Sequence, residues 1–561
     1  MAPTVSHKNR VWSRREIEGL IADGRKIIIL GNQVLKVDAW IPYHPGGDKS
    51  ILHMVGRDAT DEVTALHSEG ARAHMQKYVI GRVHGIWENF LPPIQGGTFR
   101  TLVSKDDVDD EALSAEEDAS SSRKSTPPSS IFDALDPGNE VRLRHAGNDT
   151  PITQASSSSS SEPDLGQFTS AEASIAHAIS SDVSKYPPLD KKSQDEVASK
   201  YRQLDEKLQS EGLYQCRYSS YAVEMVRYSI LLSLFLTSFH HSYYALSSIF
   251  LGFLWHLLSF VVHDAGHLSI THGFHTDSCI GIFVADFLGG LSVGWWKRNH
   301  NVHHIVTNSP EHDPDIQHMP FFAISSRFFT SLRSTYYNRV MKFDAAARFF
   351  IKHQHYLYYP ILLMGRFNLY VLAWTYLLDP AQAPRKGPAW WHRYLEMAGQ
   401  VFFWYWYGYR LLYLSIPTWS SRIAFLLISH MVTGPLHLQL TLSHFAMSTT
   451  DLGIHESFAQ KMVRMTMDVD CPPWLDFVHG GLQFQVVHHL FPRLPRHNLR
   501  RAQKHVKEFC EDVGIPYIIF GFARGNKEVL GRLGEVAGQL RVLEECRKVA
   551  ARDLIEGRHG H

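Results

Sequence analysis

Five cysteines in 561 residues, Cys216, Cys279, Cys471, Cys510 and Cys546, are few, scattered and odd in number, and no two form a CxxC pair. A disulfide framework is excluded, and reduced thiols in a cytosol-facing protein are expected. Net charge is missing as well: 56 Lys and Arg balance 56 Asp and Glu, so the chain lacks the broad basic face that nucleic acid requires. Met1 to Arg15 is polar and basic with no apolar core, so no cleavable signal peptide is expected and membrane entry must depend on later segments. No repeat of the ~20–50-residue kind that builds solenoids is visible.

What the chain has in excess is histidine, 34 residues, gathered in clusters rather than in a terminal tag. Four parts can be separated by composition. Residues 10–90 read as a small domain: Ile27-Ile28-Ile29-Leu30 and Val34-Leu35-Lys36-Val37 flank Gly31-Asn32 as two strands about a tight turn, with helical pieces from Ser50 to Val55 and Thr60 to His67. Residues 91–194 are acidic, then rich in Ser and Pro, with an unbroken run Ser156 to Ser161; too little apolar surface is present to offset chain entropy, so a disordered linker is expected. Residues 195–525 hold apolar stretches near bilayer length, Tyr228 to Phe239 with Tyr243 to Val262, Tyr356 to Leu378, Gly399 to Ile416 and Ile423 to Phe445, while Cys279 to Trp296 is either a span or an interfacial helix. About four spans are expected, an even number that returns all the clusters and both termini to the cytosolic side. In 526–561, Val529, Leu530, Leu533, Val536, Leu540 and Leu543 recur at helical spacing, the packing face of an amphipathic helix.

The clusters carry the chemistry. His263 and His267 stand at i and i+4 where an apolar helix ends; His300, His303 and His304 follow the aromatic and basic run Trp295-Trp296-Lys297-Arg298; Gln485, His488 and His489 repeat the pattern in a soluble stretch. Residues at i, i+3 and i+4 share one helix face, so each cluster offers its imidazoles to a single point. A lone histidine in such a place is usually a satisfied polar residue. Three sets beside apolar sequence point instead to a metal centre, since imidazole suits iron, copper and zinc. Asp264, Asp313, Asp315 and His312 are placed to hydrogen-bond such imidazoles, and Arg366 and Arg410, charged within apolar segments, either line a head-group site or snorkel to the interface. Near the N-terminus, His44-Pro45-Gly46-Gly47 and His67 could place two neutral imidazoles on opposite sides of a haem iron, leaving no position for a further ligand.

The string from Val34 through His44-Pro45-Gly46-Gly47 to His67-Ser68 resembles the cytochrome b5 domain, which implies haem b with His44 and His67 as axial ligands. Joined to it, the order HDxxH, HxxHH and QxxHH resembles the membrane front-end desaturases, and the text from Leu442-Ser443-His444-Phe445-Ala446 to Gln485-Val486-Val487-His488-His489-Leu490-Phe491-Pro492 looks most like fungal sphingolipid Δ8-desaturases. The resemblance implies a multidomain protein: a small α+β haem domain, a linker, and a mostly α-helical membrane desaturase domain with a cytosolic di-iron cap. It implies two non-haem iron ions held by His263, His267, His300, His303, His304, His488 and His489, with His444 as an additional ligand and Gln485 as a weaker one or a neighbour of the ligands. The implied activity is O2-dependent desaturation at carbon 8 of the sphingoid base of ceramide, with electrons from the fused haem domain and an NADH-dependent cytochrome b5 reductase, at the endoplasmic reticulum membrane. Three other readings stay open at this point: an acyl-lipid front-end desaturase, a fatty-acyl hydroxylase, and a membrane-anchored haem-binding module whose clusters merely pack.

Overall fold

The computed structural model describes residues 10–102, 169–379, 381–382 and 387–556. Most of the segment expected to be a disordered linker lies outside these residues. The N-terminal domain is α+β. Strands β1 (Val11–Trp12), β2 (Ile27–Leu30), β3 (Gln33–Lys36) and β4 (Val79–Val83) form one sheet in the order β1-β4-β3-β2, with β1 parallel to β4 and the other pairs antiparallel. The expected turn at Gly31 joins β2 to β3, where Gly31 takes a φ of 62° that favours a residue without Cβ. Helix α1 (Arg14–Ala22) starts at a capping box in which Ser13 and Glu16 satisfy each other's backbone N–H. Its buried Ile17 and Ile21 join Ile27, Ile29, Val34, Val55 and Val83 as the core. Short helices α2 (Asp48–Leu52), α3 (Thr60–Leu66) and α4 (Glu69–Met75) lie between β3 and β4. Beyond β4 the chain continues to pack on this domain: Phe99 meets Phe90 edge-on, and Arg100 pairs with Glu18 at 2.9 Å.

Helices α5 (Thr169–Lys185) and α6 (Lys191–Ser210) lead into the apolar part. Helices α7 (Tyr218–His240) and α8 (Tyr244–Gly266) form the expected hairpin, broken near His240-His241, and α8 ends on the first histidine pair. Next come α9 (Phe274–Ile282), prolonged by a π-helical turn to Leu288, and α10 (Val293–Val306), whose N-cap Ser292 accepts from the Trp295 N–H at 3.0 Å. The chain bends by 119° between them, so Cys279 to Trp296 is neither one span nor one flat helix. Helices α11 (Ala345–Leu363) and α12 (Gly365–Leu378) bend by 67°, α13 (His392–Phe403) continues in a π-helical stretch to Ser415, and α14 (Trp419–Met431) runs on into α15 (Gly434–Phe445). Among the described residues three helices are long and apolar enough to cross a bilayer, up to five if each bent pair counts as one, a range that includes the expected four.

The C-terminal part is built from α16 (Phe458–Met465), α17 (Gln485–Leu490), α18 (Leu499–Val513) and α19 (Phe522–Glu556). In the last helix Val529, Leu533, Val536 and Leu540 are buried and Leu530 and Leu543 partly so, and they pack with residues of α11, α15 and the 316–341 loop.

Helix α10 is the hinge of the architecture because both of its faces are used. His300, His303 and His304 point one way, while Val302, Ile305 and Val306, roughly 180° round the helix at 3.6 residues per turn, sit in one cluster with Ile28, Leu35, Val37, Met54, Ala59 and Val79 of the N-terminal domain. Polar contacts fix the same docking. Arg298 pairs with Asp48 at 2.6 Å, Arg202 with Asp61 at 2.6 Å, and Asn89 Nδ2 donates to the Ile454 carbonyl at 3.2 Å. Gly46 and Gly47 lie so close to α10 that a Cβ there would press on Asn301 and Arg298.

Candidate metal centre

Two groups of imidazoles converge at the inner end of α8. His263, His267, His300 and His488 each bring one ring nitrogen within 4.8 Å of the others, and His303, His444 and His489 do the same. His304 stands at their junction, its ring 4.8 Å from that of His488 and 4.3 Å from that of His489, with Nε2 3.2 Å from Nε2 of His300. The local sequence explains the convergence. Each set sits on one face of its helix, and His444 comes from the last turn of α15. Gly266 leaves room for the Trp296 indole, which stacks on His300 at 4.5 Å and closes the pocket.

These rings are buried, His263 only half so, and several nitrogens have nothing to bond: Nε2 of His263, His267, His488 and His489 and Nδ1 of His304 and His444 meet no hydrogen-bond partner. Buried polar atoms left this way are costly in a protein interior. Burial, and then the imidazoles around them, hold His488 and His489 well below the usual histidine range, so they are neutral and able to donate lone pairs. The donor set therefore fits two cations in adjacent pockets, and all-nitrogen sites of this kind suit iron.

Carboxylates orient part of the set. His303 Nδ1 donates to Asp313 at 2.8 Å and His300 Nδ1 reaches Asp315 at 3.3 Å, which leaves each Nε2 for the pocket. Although burial favours the neutral acid, His303 and His300 keep Asp315 ionised. Asp313 also accepts the Asn308 N–H at 2.7 Å. Other expectations need correction. Asp264 does not touch an imidazole of the cluster; it pairs with Arg496 at 2.6 Å and accepts from Tyr221, because the HDxxH helix turns it away from the pocket. His312 faces Thr335 and the His53 ring, not the ligands. Arg366 is committed to protein: it donates to the Gly289 carbonyl at 2.6 Å and lies over Trp255, while Arg410 is exposed. Gln485 opens α17 and is buried, yet its amide makes no hydrogen bond to a cluster ring among the described residues.

Sequence reasoning overlooked the support behind the cluster. Asn308, at a φ of 56°, donates to the carbonyls of His444, Ser448 and Met465 and so ties the second group to α15 and α16. Arg496 bridges Asp264 and Glu224, and His497 meets Glu224 at 2.7 Å. A lone acid in an apolar helix, as Glu224 is, was the available signal.

In the N-terminal domain, His44 and His67 face each other with ring centroids 5.9 Å apart. The Nδ1 of His44 donates to the Gly47 carbonyl at 2.7 Å and that of His67 to the Val63 carbonyl at 3.2 Å, so the Nε2 atoms are left for the slot. Burial, followed by the His44 charge, lowers His67 to about 3, a neutral donor at any physiological pH. Two opposed neutral imidazoles fit a six-coordinate haem.

Comparison with known proteins agrees with this geometry. Residues 240–521, half of the chain, match the family described as fatty acid desaturase. The chain belongs to the fatty acid desaturase family. Residues 13–84 of this desaturase match the cytochrome b5-like heme/steroid binding domain. It is 60% identical over 553 residues to a protein of Emericella nidulans named "Delta 8-(E)-sphingolipid desaturase", covering 98% of this chain and 99% of the relative. Proteins of the same name from Kluyveromyces lactis, 47% identical over 98% of the chain and 96% of the relative, and Lachancea kluyveri, 45% identical over 96% and 95%, are similar along the same length.

Proposed function

We propose that the protein is an O2-dependent sphingolipid desaturase that places an E double bond at carbon 8 of the sphingoid base of ceramide. The observation that carries this reading is the 60% identity, over nearly the whole of both chains, to a relative of that name. In this reading His44 and His67 hold haem b, and His263, His267, His300, His303, His304, His444, His488 and His489 hold two irons with Gln485 beside them. Bound there, the irons would supply the oxygen-dependent oxidation that takes one hydrogen from each of two adjacent carbons. The chain's own residues set the conditions. Asp313 and Asp315 keep the Nδ1 protons of His303 and His300 in place, and Trp296 and the buried helix ends exclude bulk water. The docked haem domain makes electron delivery intramolecular, and an NADH-dependent cytochrome b5 reductase is the external donor. The helices long enough to cross a bilayer support a multi-pass membrane protein; in this reading it lies in the endoplasmic reticulum membrane with both termini cytosolic.

The test is expression in a yeast that lacks this activity, with analysis of sphingoid bases and fatty acids by mass spectrometry. New 8-unsaturated bases are expected. New double bonds found only in fatty acids overturn the ceramide reading and replace it with acyl-lipid desaturation.

A further inference from the structure

A double bond at carbon 8 lies close to the polar end of a sphingoid base. Only carbons 4 to 7 separate it from the carbon that bears the 3-hydroxyl, so when carbon 8 is at the irons that hydroxyl is carried inside the protein. A buried hydroxyl needs a partner, and an extended chain of that length with one hydrogen bond added places the partner roughly 10 Å from the ligands. Helix α15 carries such a group. His437 stands seven residues before His444 in the same helix, so the two share a face and lie two turns, about 10.5 Å, apart along the axis. Both ring nitrogens of His437 are buried, and neither has a hydrogen-bond partner among the described residues. A neutral imidazole has one N–H to give and one lone pair to accept with, and α15 ends an apolar span in which no water stands ready to satisfy them.

The polar groups around it are already engaged. Thr441, between His437 and His444 on that face, is 2.6 Å from the Tyr358 hydroxyl, and Arg366 donates to the Gly289 carbonyl and the Tyr370 hydroxyl. Room for the ring comes from the bend between α11 and α12: at Gly365 a Cβ would come within 3.0 Å of His437 Cδ2. A second imidazole lies at the same level. His256 stands seven residues before His263 on α8, is buried, and donates from Nε2 to the Val478 carbonyl at 2.9 Å, which leaves its Nδ1 bare. Leu436, beside His437, packs against the cluster that holds Leu257 and Phe260 of α8, which sets the two histidines in one layer. We propose that His437 binds the 3-hydroxyl of the ceramide base and that this contact, two turns from the ligands, decides which carbon meets the irons. The inference rests on the ceramide reading given above. Hydroxyl and neutral imidazole each donate once and accept once, so the pair is satisfied on both sides. Apolar walls tell neighbouring methylenes apart poorly, whereas a hydroxyl out of place leaves buried groups unpaired.

The test uses the full-length holoprotein in detergent, supplied with NADH and a cytochrome b5 reductase, and compares kcat/KM for an N-acyl sphinganine and its 3-deoxy analogue. Wild type is expected to prefer the hydroxylated substrate by about 10–100-fold. His437→Phe is expected to lose that factor on the hydroxylated substrate and to match wild type on the deoxy one, with haem and iron content unchanged. His437→Gln, which keeps a donor and an acceptor, is expected to retain part of the preference. Equal use of the two substrates by wild type, or an equal loss on both in His437→Phe, overturns the proposal. Should His437→Phe not fold, His437→Asn, too short to reach the hydroxyl, decides it by the same two rates. A wild type that leaves the hydroxylated ceramide unaltered would remove the ceramide reading, and this inference with it.

Discussion

The clamp and the cluster use one side chain in two ways. His44 and His67 stand at the ends of short segments, one after a turn and one at the C-cap of α3, and each is steadied through Nδ1 by a backbone carbonyl. Two opposed rings make a closed slot that fixes the coordination of whatever sits between them. The cluster draws its rings from four helices; the Nδ1 atoms of His303 and His300 are anchored by the carboxylates Asp313 and Asp315, and that of His489 lies 3.4 Å from the Thr307 hydroxyl. A carboxylate behind an imidazole makes it a stronger donor than a carbonyl does and fixes its tautomer. The contrast teaches how one residue type serves electron carriage in one place and oxidation in the other: geometry closes the first site, and charge behind the ligands tunes the second. Helix α10 joins them, with the metal cluster on one face and the core of the haem domain on the other.

The strongest way to break the comparison is to remove a ring from each site. His303→Ala or His488→Ala is expected to reduce desaturation on the order of 10²-fold or more, since loss of one ligand disturbs a site holding two ions, while the haem spectrum is untouched. Product per haem and iron per haem are the measurements. Full activity in both variants would mean that these rings only pack. His67→Ala should do the reverse, abolishing the haem absorbance and NADH-driven turnover while iron content stays at wild type. Loss of iron in that variant would show that the two sites are not independent.

A smaller effect tests the carboxylate side of the contrast. Asp313→Asn keeps the shape but takes away the charge that holds His303, and a loss of about 10–100-fold in iron affinity or activity is expected. Equal activity would erase the proposed difference between backbone and carboxylate anchoring. Iron retained against a graded series of chelator concentrations separates a binding defect from a fold defect.

Much of this was legible in the sequence because it is local. The histidine sets announce themselves by i, i+3, i+4 spacing, the clamp by a run of consecutive residues, and the C-terminal packing face by its period. The junction was not. Val302, Ile305 and Val306 read as ordinary apolar residues, and only the tertiary structure shows that they bury into a second domain. Asp264 looked like a partner for imidazoles because it sits inside the HDxxH motif; its true partner, Arg496, is 232 positions away. Helix count was equally hard to read, since the breaks at 289–292 and 364 bend the chain without removing its hydropathy.

The smallest expected effect lies in the clamp's own helix. Glu62 on α3 is 8% exposed, and burial raises it to about 7 against the partial relief given by Arg57. Folded protein thus binds a proton at Glu62 between an unfolded value near 4.5 and about pH 7, where the unfolded chain has released it. The native state holds more protons in that window, so stability falls as pH rises through it and the full cost stands above pH 7. Glu62→Gln removes the ionisation. The variant is expected to match wild type near pH 4.5 and to exceed it by roughly 1–3 kcal/mol at pH 8, a gain confined to the haem domain. Thermal or urea midpoints followed at the Soret band give the difference at each pH, and iron content reports whether the cluster is affected. A variant whose advantage does not change between pH 4.5 and 8 would show that Glu62 is ionised in the fold. An advantage that grows with pH while iron content holds steady would show that the closed slot, and not the metal cluster, carries the pH-sensitive support.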